Sequence, residues 1–463
     1  MLSAFALFHF LFLGVEYLFD NMMAFVTTPD GVVMAQSYLL GANVLGFLLY
    51  PAAGRWIKEG SRQIAAFAAT LAGVICVFVM WQHASYVLIL FAGCIDFVLL
   101  GIAGGSVYYR ISRLCINGRH LAKLVGISYA AGVLLQFLNN NIVRNDMAES
   151  IVLACLGAVF ALLLLKADAE GEKEDTASNE DRKPEHPAVA GGALIAAVIL
   201  MACIFSTLDN AVTLVHAAGE ADIGQWPRIL LGISSIAAGF LYDIKGRKYM
   251  GVMMHCVAFL STLCIIILRC NGPFLAGLLV FYLSAGFFVV FFAVGFMDIS
   301  SFMKQPKLWA GLGRVLNSIC AFVTGTFSVR MLAAENDLTA MVGALFLFVF
   351  ISIAFFIYAM QFGKDAAGKE ESGTTREEIT AVLMSEEEKF AAFTRVFCLT
   401  EREIEVLHVL LVSDENVQDI AEALSISRAA LYRHIAGLNE KTGTKSRIGL
   451  LQFYYGWKEK ENV

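Results

Sequence analysis

The sequence predicts an all-α protein in two unlike parts: a polytopic bundle of twelve transmembrane helices in a 6+6 pseudo-repeat, then a small four-helix domain. Three observations predict it. The 463 residues are 58% hydrophobic and 16% charged, where a soluble domain carries roughly 25% charged residues. Twelve apolar stretches are long enough to cross a bilayer, which takes roughly 17 to 25 residues. Near residue 396 that pattern gives way to short amphipathic segments at helical spacing.

The first half, 1–165, places spans at about 3–25, 34–52, 63–82, 86–109, 121–141 and 149–165. The first run follows Met1 without a basic segment and is long enough to cross, so it is expected as a retained helix and not a cleaved signal peptide. A charged, Pro-containing linker, 166–187, separates this half from the second, 188–362. There the spans fall at about 189–216, 226–242, 248–269, 273–297, 309–330 and 338–362. The prolines Pro29, Pro51, Pro184, Pro187, Pro227, Pro273 and Pro306 are all expected at span ends or in loops, where a missing N–H does least damage.

Loop charge sets the orientation. Counted over alternate loops, sixteen Lys and Arg fall on one side and only Arg144, Arg228, Arg269 and Arg330 on the other. Cytoplasmic loops hold the excess, so both termini are expected in the cytoplasm of a bacterial cell, where DNA lies. The ten cysteines form no C-x-x-C pair, and most sit in apolar runs, so neither a disulfide framework nor a zinc site is signalled. The histidines show no metal spacing, and no G-x-S-x-G or P-loop occurs, so neither an enzyme nor a cofactor is expected.

The halves repeat each other. Leu18-Phe19-Asp20-Asn21 in the first span is echoed by Thr207-Leu208-Asp209-Asn210 in the seventh, an offset of 189. The loop Gly54–Arg62 is echoed by Gly239–Lys248 at nearly the same offset. The stretch Gly239-Phe240-Leu241-Tyr242-Asp243-Ile244-Lys245-Gly246-Arg247-Lys248 resembles the G-x-x-x-D-x-x-G-R-K loop of the major facilitator superfamily. The resemblance covers about residues 1–362 and implies that superfamily's fold. Within the loop, glycines permit a tight turn, and Asp243 can pair with Arg247 or cap the next helix. The first-half copy departs from the pattern at Ile57, where Asp243 would align, and transport activity is not implied.

Charges at membrane depth are costly and mark cavities or partners. Here they are Glu16 and Asp20 on the first span, Asp96 on the fourth and Asp209 on the seventh. With Asn210 they form a candidate pocket for an unidentified small-molecule ligand between the halves. The alternative is that Asp20-Asn21 and Asp209-Asn210 only hydrogen-bond to neighbouring helices.

A polar stretch, 363–395, reads as a tether with a reach of about 30 Å if it is coil, although 377–393 could instead be helical. Four short helices follow within 396–463. Thr400 and Glu403 form a capping box ahead of the apolar stripe Ile404, Leu407, Leu410, Leu411. A second helix covers about 417–424, a third follows Ser425-Ile426-Ser427 and ends at the C-cap Gly443, and a fourth opens at Ser446.

The residues Leu399-Thr400-Glu401-Arg402-Glu403, Glu405-Val406-Leu407, Ile420-Ala421, Leu424-Ser425-Ile426-Ser427, His434, Lys441, Gly443 and Ser446-Arg447 resemble the LuxR-type helix-turn-helix of bacterial regulators. From Ser425 to Lys458 the cations Arg428, Arg433, Lys441, Lys445, Arg447 and Lys458 face only Glu440, as docking on double-stranded DNA needs. The N-terminal part of a recognition helix enters the major groove, which nominates Arg428, Ala429, Tyr432, Arg433 and Ala436 for base edges. Thr400, Lys445, Ser446 and Arg447 are nominated for phosphates. Where the family usually has Thr-Val-Lys, this sequence has Ala430-Leu431-Tyr432, so Arg433 is expected to replace the missing lysine contact. The resemblance also implies a homodimer on DNA, joined through the fourth helix. Taken together the residues point to a membrane-bound regulator, with a secondary transporter carrying a regulatory domain, or a passive anchor, as the alternatives.

Overall fold

The computed structural model describes residues 1–56, 61–82, 85–114, 120–143, 145–169, 184–217, 219, 227–269, 274–332, 345–361, 389–412 and 417–457. The chain divides into two compact units, 1–363 and 364–463.

In lipid every backbone N–H and C=O must find a partner within the chain, which leaves helices as the way to use apolar runs of this length. The first unit contains α1 (Leu2–Ala24), α2 (Pro29–Trp56), α3 (Arg62–Trp81), α4 (Tyr86–Leu114), α5 (Leu121–Ile142) and α6 (Asp146–Ala169). These are followed by α7 (Pro187–Ala217), α8 (Pro227–Tyr242), α9 (Met250–Arg269), α10 (Phe274–Ser300), the short α11 (Pro306–Trp309), α12 (Leu312–Leu332) and α13 (Leu345–Gln361). Among the described residues, eight helices have the length and apolarity to cross a membrane, and four shorter apolar helices accompany them. Together they match the twelve expected spans. α1 lies inside the bundle with 72% of its apolar window buried, whereas α3 and α6, at 17% and 22%, lie at the periphery with apolar side chains turned outward.

Two seams join the halves, α5 against α8 and α2 against α12. The α5–α8 seam is close enough to require glycine. A Cβ on Gly126 would lie 2.4 Å from the Ser235 carbonyl oxygen, and one on Gly239 would lie 2.7 Å from that of Ala122. This approach brings Asp243 to the start of α5, where its carboxylate accepts from the backbone N–H of Ala122 (3.2 Å) and Lys123 (2.8 Å). Asp243 also accepts from Arg247 at 2.9 Å, and Arg247 donates to both oxygens of Asp298 at 2.9 and 3.1 Å. The pairing expected for Asp243 is therefore present, and the helix it caps is α5 across the seam. Lys245 and Arg247 adopt φ of 44° and 69°, which side-chain-bearing residues rarely do; the three carboxylate bonds of Arg247 hold the turn there.

Two sequence expectations change. Pro51 lies inside α2, not at its end, because that helix continues past the apolar span to Trp56. Arg228, assigned above to an outer loop, is on the first turn of α8 and only 8% exposed, because that turn faces into the bundle. The linker residues 170–183, the tether residues 363–388, Ile57 and Lys458 lie outside the described residues, as does the Asn210 side chain.

The second unit contains a helix over 389–396 (α14), then α15 (Glu401–Val412), α16 (Val417–Ala423), α17 (Arg428–Thr442) and α18 (Arg447–Gly456). The last four are the expected ones. α14 adds Phe393, which is fully buried against Phe397, Phe453, Tyr454 and Trp457 in a core separate from that of the membrane unit.

Candidate functional site

In the second unit α15 and α17 are tied at their ends. The Thr400 N–H and hydroxyl donate to Glu403 at 2.7 and 2.8 Å, and the Glu403 N–H donates to the Thr400 hydroxyl at 3.4 Å, which completes the capping box. Lys441, near the end of α17, donates to Glu403 at 2.6 Å and to the Cys398 carbonyl at 2.9 Å. Burial alone would raise the Glu403 carboxyl, but Lys441 and the Thr400 donors outweigh it and hold the carboxyl below its ordinary range. Arg402 pairs with Glu405 and donates to the Leu424 carbonyl at 2.8 Å, fastening the end of α16.

Ser425, at φ 53°, makes the turn into α17, whose N-cap Ser427 accepts from the Ala430 N–H at 3.2 Å. Gly443 closes the helix in the left-handed region at φ 69°. Leu431, Ile435, Leu438 and Thr442 are buried at alternating spacings of four and three, which fixes the rotation of the helix. That rotation puts Arg428, Ala429, Tyr432, Arg433 and Ala436 together on the exposed face. The Arg428 guanidinium lies 5.9 Å from the Tyr432 ring centroid, within cation–π range.

The residues nominated for phosphates are less uniform. Lys445 and Ser446 are exposed at the start of α18, where the Ser446 hydroxyl accepts from the Gly449 N–H at 3.0 Å. Arg447 is half-buried and engaged in a contact of its own. Thr400 is exposed with its hydroxyl committed to Glu403, and Lys441, counted above in the basic balance, is committed to Glu403 and Cys398. On α18, Ile448 and Tyr455 are 69% and 63% exposed, with Gln452 between them on the same face.

In the membrane unit, the repeat-related acids meet. Glu16 interacts electrostatically with Asp209, Arg314 and Arg228, and Asp20 with Glu16, Asp209 and Arg228. Gln36 donates to Glu16 at 3.2 Å, while Asp20 is 5% exposed and its Oδ1 has no hydrogen-bond partner among the described residues. Asn21 faces His216 of α7 at 3.3 Å.

The sequence reading missed the cations of this cluster. Arg228 and Arg314 are 8% and 7% exposed, and Nη1 of the first and Nε of the second lack hydrogen-bond partners among the described residues. Their guanidinium carbons lie 5.7 Å from the Tyr17 ring centroid and 3.8 Å from that of Phe12, both on α1. An arginine inside an apolar span is as costly as an acid, so Arg314 was findable by the rule that picked out Asp209. Asp96 does not join the cluster; its carboxylate faces Gly73 of α3 inside the first half.

A family model described as "Bacterial regulatory proteins, luxR family" matches residues 398–454. No curated protein sequence matches the chain. Among solved structures, the human organic anion transporter MFSD10 (TETRAN) aligns with 77% of this chain and 97% of its own, at 13% identity and a TM-score of 0.53. A double-tryptophan mutant of XylE aligns over 78% and 93%, also at 13% identity, with a TM-score of 0.52. At that identity the likeness shows the fold. The chain thus joins a membrane domain of the major facilitator fold to a C-terminal LuxR-type helix-turn-helix domain.

Proposed function

We propose that this protein is a membrane-bound, one-component transcriptional regulator whose α17 reads promoter DNA in the major groove. The observation that carries the proposal is the exposed face of Arg428, Ala429, Tyr432, Arg433 and Ala436, set by the buried stripe behind it. Arg433 offers bidentate pairing to guanine, and Lys445 and Ser446 offer phosphate contacts that position the domain. The Ile448–Tyr455 face of α18 supports a homodimer, which would place two α17 helices on successive half-sites. Both termini are assigned to the cytoplasm of a bacterial cell on the loop-charge imbalance, which keeps its sign with Arg228 removed from the outer count. Neither unit is assigned catalysis.

The small-molecule sensor in this proposal is the cluster of Glu16, Asp20, Asp209, Arg228 and Arg314. Its members come from α1 on one side and α7, α8 and α12 on the other, so a ligand that contacts them differently in two packings of the halves would shift the balance between those packings. A secondary transporter with a regulatory domain is the second reading, favoured by the meeting of the repeat-related carboxylates Asp20 and Asp209. Genome-wide binding of the full-length protein in cells, beside an Arg428→Ala, Arg433→Ala variant, tests the proposal. Discrete sites lost in the variant are expected; no enrichment for the wild type across several growth media would overturn it in favour of the transporter.

A further inference from the structure

A cavity of about 640 Å³ lies in the membrane unit among α1, α2, α3, α4 and α6 of the first half, with Lys307 of α11 also in its lining. Its volume is that of a site for a drug-sized molecule, roughly 300–1,000 Å³. The space exists because α3 presents Ala66, Ala69, Gly73 and Val77 to it, at helical spacing, where larger residues would fill the gap. Facing them from α1, α4 and α6 are apolar side chains such as Leu11, Leu100 and Phe160.

One charged group lies deep among these walls. Asp96 on α4 is 6% exposed, lines the cavity, and has no hydrogen bond or ion pair among the described residues. Its Oδ1 lies 3.0 Å from where a Cβ on Gly73 would stand, so the missing side chain of Gly73 is what leaves the carboxylate room. The cations that line the cavity do not neutralise it. Arg110 is paired with Asp168 and donates to Ser106 at 3.2 Å, Lys307 lies 5.4 Å from the Tyr109 ring centroid, and Arg62 is engaged in a contact of its own. Along α4, Arg110 stands fourteen residues from Asp96, roughly 21 Å at 1.5 Å per residue. Glu16, Asp20 and Asp209 do not line the cavity.

We infer that this cavity is a second ligand site, one for a lipophilic organic cation whose charge rests on Asp96 and whose apolar body fills the slot against α3. A nearly buried carboxylate with no counter-charge among the described residues is costly, so an incoming ammonium or phosphonium satisfies it. Their attraction is stronger there than in water, because the surroundings screen it less. Burial of the ligand's hydrocarbon against Leu11, Leu100 and Phe160 adds the apolar contribution. An anionic amphiphile matches only the cations Arg62, Arg110 and Lys307 and is repelled at Asp96. Binding here is independent of whether α17 reads DNA.

The test uses the full-length protein in lipid nanodiscs with radiolabelled tetraphenylphosphonium, and dodecyltrimethylammonium as a competitor. Saturable binding is expected, weakened at least about tenfold by the near-isosteric Asp96→Asn and within a few-fold of wild type in Asp96→Glu. Ala69→Phe, which fills the slot without touching the charge, is expected to abolish binding, and the exposed Asp30→Asn to leave it unchanged. Thermal melting of each variant in nanodiscs separates lost binding from lost folding, and Asp96→Glu and Ala69→Phe give two independent readings if Asp96→Asn does not fold. No saturable binding of either cation to the wild type, or wild-type affinity in folded Asp96→Asn or folded Ala69→Phe, overturns the site.

Discussion

Glu403 gathers bonds from Thr400 and Lys441 in the 364–463 unit, and replacing it has a calculable effect. Glu403→Ala removes half of the capping box, about 1 kcal/mol by the usual range for helix caps. It also removes the contact to Lys441, whose partners are 10% exposed for Glu403 and 32% for the lysine. A hydrogen bond to a charged group contributes about 1.5–3 kcal/mol when buried, and the exposed lysine places this one at the low end. The sum is about 2–3 kcal/mol, which for a domain of this size lowers the melting temperature by roughly 10–20 °C. The Glu403→Gln change keeps an acceptor for Thr400 and should cost about half as much.

The pH dependence has a definite sign. The folded carboxyl is held below its ordinary range, so its stabilisation is fully present above the unfolded value of about 4.3 and is lost as pH falls through the lower folded value. The gap between wild type and Glu403→Gln should therefore be widest near neutral pH and close in acid. Circular dichroism melts of the 364–463 unit, which has its own core, measure both quantities. A Glu403→Ala penalty under about 0.5 kcal/mol at pH 7, or a Glu403→Gln gap that persists unchanged into acid, would refute the assignment of these contacts as stabilising.

Other substitutions have equally direct readouts. Ser427→Ala removes the N-cap of α17 and should cost about 1 kcal/mol in the same melts. Arg433→Ala should weaken binding to the preferred operator by about 1–3 kcal/mol in fluorescence anisotropy and relax preference at one base pair, with non-specific binding much less affected. Lys445→Ala should weaken binding to all duplexes alike and reduce the slope of log affinity against log salt by about 0.9. Arg247→Ala leaves Asp243 and Asp298 without their shared cation; breaking so buried a pair costs about 3–5 kcal/mol, seen as a lowered melting temperature of the protein in nanodiscs.

The parts legible in the sequence are those set by one-dimensional rules. Ser427 and Gly443 announce the ends of α17 because a cap is a local hydrogen-bond requirement, and the stripe Leu431, Ile435, Leu438 orients the helix because burial follows its period. The twelve spans were legible because lipid leaves an apolar run few alternatives. The meeting of Asp20 with Asp209 was suggested by their offset, since equivalent positions in a repeat face the same axis. Arg228 escaped because loop counting treats every residue near a span end as exposed, whereas the first turn of α8 faces the bundle. Phe393 escaped because α14 is preceded by a long polar stretch, and its cover, Phe397 with Phe453, Tyr454 and Trp457, comes mostly from about sixty residues further along the chain.

Asp96 marks where the one-dimensional rules stop. Hydropathy gives the depth of a residue in the membrane, and by depth Asp96 and Asp209 are the same kind of residue. Which way each points depends on the rotation of its helix, set by contacts with helices elsewhere in the chain, for α4 chiefly α1, α2 and α3. On α4 that rotation turns Asp96 toward α3 and Gly73, away from the approach of α1 to α7 that brings Asp20 and Asp209 into each other's field. The small residues of α3 were visible in the sequence, but a stripe of alanine and glycine most often means that another helix packs closely there. Only with α4 and α6 in place does the stripe on α3 become an empty volume instead of a contact, and only then does the unpaired carboxylate beside it have a chemical reason to be there.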